Sequence, residues 1–189
     1  DRNYDIPEGL LGGLSMHESY GNPSEIGSSG EAGIPQLMAG VAQQYGLRVL
    51  GNSRSTSRDR NHVLKLKELI EECKGEHSCL VEADERFDPE KSLDAAARFL
   101  KDKYKQHGSW DDALSAYNRG NPAKNASSTT YVKNVRAAHH YWLREKLKSY
   151  AYWFKVSSWK LWLKKRVYVQ SIRKITDREM MKTFVGKII

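Results

Sequence analysis

No run of apolar residues approaches the roughly 18 that a membrane-spanning helix requires, so no such helix is expected. The opening "DRNYDIPEG" is acidic and lacks the basic and apolar segments of a signal peptide, which predicts the start of a mature or trimmed chain. Cysteine is scarce. Cys73 and Cys79, in "EECKGEHSCLVE", are expected to close one small loop as a disulfide worth ~2 kcal/mol in an oxidising compartment, two free thiols being the alternative. His77 alone does not complete a four-ligand set with them, so no metal site is expected. There is no internal repeat and no convincing pair of alternating strands in the first three quarters of the chain.

Acidic residues also run out towards the C-terminus. Residues 1 to 132 hold 16 Lys or Arg against 20 Asp or Glu, a balance of −4, whereas residues 133 to 189 hold 15 against 3, a balance of +12. A chain of 189 residues accommodates one domain with a real core and an appendage. The division predicted is an acidic body over 1–145 and a basic, aromatic extension over 146–189.

Helical signals dominate what is present. "IPEGLLGGLSMHES" has Pro7 near a helix start and apolar residues at 10, 11 and 14, followed by the turn-forming "NPSEIGSSGEAG". "IPQLMAGVAQQYGLRV" reads as a short helix ended by Gly46, and "GNSRSTSRDRN" as an exposed loop. "HVLKLKELIEECK" is amphipathic. "DPEKSLDAAARFLKDKYKQH" places Leu93, Ala96, Ala97, Leu100 and Tyr104 on one stripe between Pro89 and Gly108. "SWDDALSAYNRG" starts on Ser109 as a cap and stops at Gly120, and "SSTTYVKNVRAAHHYWLREKLKSYAYWFKV" reads as one long helix. "VYVQSI" and "KTFVGKII" are candidate short strands.

Glu18 lies between the apolar run and the glycine-rich turn. Set among apolar side chains, a carboxyl loses hydration of its charged form, so its pKa should rise to where it donates protons near neutral pH. The ordinary alternative is a solvated glutamate at a helix end.

In order and near spacing, "ESYGNP", "GEAGIPQLM", "DERFDPEKSLDAAARFLKDKY", "SWDDALSAYNRG" and "YVKNV" resemble the catalytic domain of lytic transglycosylases, glycoside hydrolase family 23, related to goose-type lysozyme. "DERFDP" is most similar to the membrane-bound transglycosylase D branch. The resemblance covers residues 6 to 142 and implies a mostly α, lysozyme-like domain with an extended cleft. It implies cleavage of the β-1,4 bond between N-acetylmuramic acid and N-acetylglucosamine in peptidoglycan. The protein would be exported from a bacterial cytoplasm, periplasmic or secreted, and would need no cofactor. Glu18 matches the general acid, which acts first as acid and then as base while the muramic 6-hydroxyl attacks the anomeric carbon. Ser19 would help hold Glu18, and Gln36 would bind sugar. Gly30 and Gly33 fit the tight loop. Met38 would wall the cleft or pack in the core. The Tyr117 hydroxyl would reach the catalytic carboxyl or the sugar, and Asn118 would fix the helix end. Leu114 and Ala116 would pack.

The chain departs from the family pattern at several positions. Gly27 stands where a serine usually contacts the N-acetyl side of the sugar, with Ser28 beside it as a possible stand-in. Glu31 replaces an alanine, Pro35 replaces a methionine or tryptophan, and Ser127, Ser128 and Thr129 replace a Thr-Arg pair with its acidic neighbour. Loss of a serine and gain of a carboxylate raise a de-N-acetylated, ammonium-bearing glucosamine as substrate. Glu25 and Glu31 are also the nearest candidates for a second carboxylate that would position water, giving hydrolysis to a reducing end. A non-catalytic wall-binding module is the competing class.

From the end of the body through the extension, Trp142, Trp153, Trp159 and Trp162 interleave with Lys155, Lys160, Lys164, Lys165 and Arg166. Three readings stay open: aromatics packed on the domain or a partner, attachment to an anionic membrane or wall surface, and nucleic-acid binding. Nothing in the body points to a nucleic-acid substrate.

Overall fold

The computed structural model describes residues 1–156, and the candidate strands and most of the basic extension lie outside the described residues. Among the described residues seven α-helices come in chain order: α1 (Leu10–Ser19), α2 (Ala39–Gln44), α3 (Arg60–Cys73), α4 (His77–Ala83), α5 (Pro89–His107), α6 (Trp110–Arg119) and α7 (Thr130–Val156). The chain divides into two compact units, Asp1–Arg144 and Glu145–Ile189, and the core clusters and the cleft all lie in the first.

Local chemistry fixes the helix boundaries. Asp88 precedes Pro89, and its carboxylate accepts the N–H groups of Glu90 and Lys91 at 2.9 and 3.1 Å, so two orphan donors of α5 are satisfied. Ser109 caps α6 by accepting the Asp112 N–H at 3.1 Å and donating its hydroxyl to the Asp112 carboxylate at 2.6 Å. The Asp59 carboxylate caps α3 through the His62 N–H. Asp1 caps α1 from a distance, accepting from the N–H groups of Gly9 and Leu11. Gly108 ends α5 at φ 80°, a left-handed conformation that suits glycine.

Helix α5 runs through the middle of the core. Ser92, Ala95, Ala96, Ala97 and Leu100 are all buried on it, and the small size of most of them lets neighbours approach from two sides. One core cluster joins Leu10 and Leu14 of α1 to Ala97, Leu100, Leu114, Val132 and Val135. A second joins Ala95 and Ala96 to Leu37, Ala39, Ala42, Leu47 and Val49. A third gathers Leu66, Leu69, Cys73 and Leu80 of α3 and α4 around Phe87 and Ala32. The Cys73–Cys79 disulfide joins the end of α3 to α4.

The glycines of "GLLGG" explain how α1 meets α7. A Cβ on Gly13 would lie 2.6 Å from the backbone nitrogen of His139, and one on Gly9 would lie 2.4 Å from the Trp142 ring. Trp142 therefore packs against α1 and belongs to the body.

Two elements differ from the sequence expectation. The expected helix over "IPQLMAGVAQQYGLRV" is confined to Ala39–Gln44, because residues 32–37 form a tight turn instead. The Gln36 N–H donates to Gly33 O, and Gln36 takes φ 49°, which no helix accommodates. Helix α4, over the disulfide loop, carried no apolar periodicity long enough to announce it.

Replacing Gly13 by alanine places a methyl against immovable backbone and should cost about 2 to 3 kcal/mol. Gly12 faces the Trp142 side chain at 3.2 Å, which can shift, so G12A should stay within about 1 kcal/mol of wild type. Urea denaturation of the two variants, read as the difference in midpoint, checks this.

Candidate active site

Glu18 occupies the last turn of α1, the end at which the helix dipole opposes a negative charge. Its side chain is partly buried, and the Tyr131 hydroxyl donates to Oε1 at 2.5 Å. Burial pushes its pKa from the ordinary 4.5 up to about 7; the Tyr131 hydrogen bond pulls it down, and the nearby Glu31 charge pushes it up. With Oε1 engaged, Oε2 is left to carry the proton. The His17 ring meets Tyr131 edge-on at 5.0 Å between centroids.

The loop after α1 is short of regular structure and held by side chains. Isolated antiparallel bridges pair Ile26 with Ala32 and Ala32 with Leu37. Beneath it lies Arg86, fully buried beside a fully buried Asp84. Its guanidinium donates to both Asp84 carboxylate oxygens at 3.0 and 2.8 Å, and to Gly30 O and Leu37 O at 2.8 and 3.1 Å. It also meets His62 Nε2 at 2.7 Å; since arginine only donates, that nitrogen accepts and His62 is neutral, in keeping with burial and the Arg86 charge lowering its pKa. A buried ion pair stabilises only when its hydrogen bonds are complete, and here the remaining donors go to the two carbonyls that bracket the loop. Gly33, at φ 77°, would drive a Cβ to 1.8 Å from Arg86 O, so only glycine fits there. Gly30, at φ 103°, presents its carbonyl to the same guanidinium.

A cleft of about 230 Å³ opens above this loop and brings together Glu18, Glu31, Gln36, Met38, Tyr117 and Asn118 of the sequence-derived set. Ser29, Thr56, Ser57, Arg58 and Phe99 also line it. Thr56 is shared with a larger open groove of about 860 Å³ that includes Gln43, Arg48, Asn52 and Arg54, which lengthens the surface open to a polymer.

Some of the sequence-derived residues line the cleft and others lie off it. Ser19 is buried away from the cleft, and its hydroxyl donates to Ile34 O at 2.8 Å, tying the end of α1 to the loop. Ser28 is exposed and does not line the cleft, whereas Ser29 does. The Tyr117 hydroxyl donates to Pro35 O at 2.8 Å, so of its two expected partners, Glu18 or the sugar, the first is taken by Tyr131, while Tyr117 still lines the cleft. The Gln36 amide donates to Glu25 O and Gly33 O, leaving Oε1 as its free acceptor. Glu25 accepts from Asn22 at 2.9 Å and is not among the cleft residues. Asn118 is exposed on the cleft at the end of α6. Tyr131 was within reach of the sequence through "YVKNV", but its partner lies 113 residues away. Among the described residues, no group of three or more His, Cys, Asp or Glu is placed to hold a metal ion.

The helical domain thus sets a sheltered carboxyl, its pKa pushed up to about 7 by burial, on the wall of a polar cleft. The chain belongs to the transglycosylase SLT domain family, whose model matches residues 1–140. This is a family of lytic transglycosylases, enzymes that act on peptidoglycan. No curated protein and no solved structure gives a match.

The raised pKa carries a stability consequence. Between pH 4.5 and about 7 the unfolded chain releases the Glu18 proton and the folded chain keeps it, so wild type loses stability as pH rises through that window. The E18Q variant cannot titrate there. It should be more stable than wild type by on the order of 2 to 3 kcal/mol at about pH 8, with the gap closing in acid. Denaturation midpoints across pH test the sign and the window.

Proposed function

We propose that this chain cleaves the β-1,4 bond between N-acetylmuramic acid and N-acetylglucosamine, or its de-N-acetylated form, in bacterial peptidoglycan, with Glu18 as sole general acid and base. The observation that carries this reading is the Glu18 carboxyl at about 7 on the cleft wall. A group poised there gives and takes a proton with comparable ease. Oε2–H protonates the leaving glycosidic oxygen as the C1–O bond breaks, and Tyr131 steadies the resulting carboxylate by its hydrogen bond. The carboxylate then removes the proton of the muramic 6-hydroxyl as that oxygen attacks C1, closing a 1,6-anhydro ring. Gln36, Met38, Tyr117 and Asn118 shape the sugar-binding wall, and Ser19, Gly30 and Gly33 hold the loop that carries it. "DERFDP" supports placement near glycoside hydrolase family 23 and the membrane-bound transglycosylase D branch.

A second reading follows from Glu31 in the same cleft: a carboxylate that positions water would give hydrolysis to a reducing end. The Cys73–Cys79 disulfide favours an oxidising, extracytoplasmic setting. The +12 balance of residues 133 to 189 favours an anionic wall or membrane surface as a further partner, on the sequence alone.

Mass spectrometry of muropeptides released from purified peptidoglycan separates these readings. The expected products are one water lighter than their hydrolytic counterparts, and E18Q should lower their release about a thousandfold. Full release by E18Q would remove Glu18 from the chemistry and contradict the proposal.

A further inference from the structure

The edge of the cleft next to Glu18 is built from acceptors. A Cβ on Gly27 would lie 2.3 Å from Glu31 Oε2 and 2.9 Å from Gln36 Oε1, so the Glu31 carboxyl fills the space that a side chain at 27 would take. The two positions are coupled: a residue with a Cβ at 27 and the Glu31 carboxylate in this place exclude each other. The carboxylate is fixed there, with Oε2 accepting the Ser29 N–H at 2.8 Å while the Gly27 N–H donates to Glu31 O at 2.9 Å.

The orientation of Gln36 is settled by its surroundings. Its NH2 group donates to two backbone carbonyls, Glu25 O and Gly33 O, and a flipped amide would point oxygen at oxygen. Its Oε1 therefore stands on the Glu31 side of Gly27, acceptor next to acceptor. Among the described residues no Lys, Arg or His forms an ion pair with Glu31, and the other charged or titratable side chains lining the cleft are Glu18, Arg58 and the Tyr117 phenol. A ligand group suited to this edge brings several N–H donors and no acceptor. An alkylammonium does so with three donors and a positive charge, whereas an acetamide offers one N–H and adds a carbonyl oxygen to a place already crowded with them.

We propose that Glu31, seated over Gly27 beside Gln36 Oε1, makes this cleft select a glycan whose sugar carries a free 2-amino group over the N-acetylated sugar. The inference rests on reading the cleft as the glycan-cleaving site and names the substrate it prefers there. Selection works by ion pairing backed by hydrogen bonds, so it weakens as salt rises.

Isothermal titration of the full chain with soluble glucosamine oligomers and with N-acetylglucosamine oligomers of equal length, near neutral pH, reads the preference without turnover. The expected result is at least about tenfold tighter binding of the amine form, as a charged hydrogen bond contributes. In E31Q the ratio of the two affinities should fall to about one, and in wild type it should shrink as salt rises. Equal or tighter binding of the acetylated oligomer by wild type overturns the proposal, as does an E31Q variant with an unchanged ratio. Parallel digestion of native and chemically deacetylated peptidoglycan separates the two claims. A wild type that prefers the amine oligomer yet cleaves neither polymer overturns the catalytic reading alone.

Discussion

Charging a carboxyl that water cannot fully reach is unfavourable, and the arrangement around Glu18 follows from that constraint. The last turn of α1 holds the group where the helix dipole opposes an anion, and the packing of α1 into the core keeps solvent away. Tyr131 acts in the opposite direction, stabilising the carboxylate by one hydrogen bond, so both the acid and the carboxylate are accessible around pH 7. A fully apolar pocket would hold the proton more tightly still, and a fully solvated site would release it near the ordinary 4.5.

The loop facing Glu18 needs its own support, because a segment with so little regular structure would otherwise sample many conformations. Arg86 and Asp84 supply that support from below. Both are fully buried, and the guanidinium divides its donors between Asp84, His62 and the carbonyls of Gly30 and Leu37. The ion pair thus works less as attraction than as a fixed donor array to which two backbone oxygens are attached. Gly33 rests on Arg86 O, and the Ser19 hydroxyl ties α1 to Ile34, so acid and loop are positioned by one continuous set of contacts.

Much of this was legible where local chemistry decides the structure. The Asp88-Pro89 and Ser109 caps, the alanine stripe of α5 and the turn after Glu18 all follow from residue types at fixed spacing. The family motifs brought Glu18, Gln36, Met38, Tyr117 and Asn118 to one cleft. What escaped depends on long-range partners. Beyond its neighbour Asp84, the acceptors that bury Arg86 come from distant segments, His62, Gly30 and Leu37, and the Tyr131 contact with Glu18 spans 113 residues. The shortened α2 reflects tertiary demand: the Gly33–Gln36 turn overrides a sequence that reads as helix from Ile34 onward. Of the three readings open for the aromatics, Trp142 takes the first: it packs on the domain, against the glycines of α1.

The role proposed for Glu18 depends on one protonation state, and that state is directly measurable. Carbon-13 NMR titration of the Glu18 carboxyl in the intact chain, assigned by comparison with E18Q, reads its midpoint. A midpoint of about 7 is the expected result; one near the ordinary 4.5 would show a solvated carboxylate and contradict the role given to Glu18.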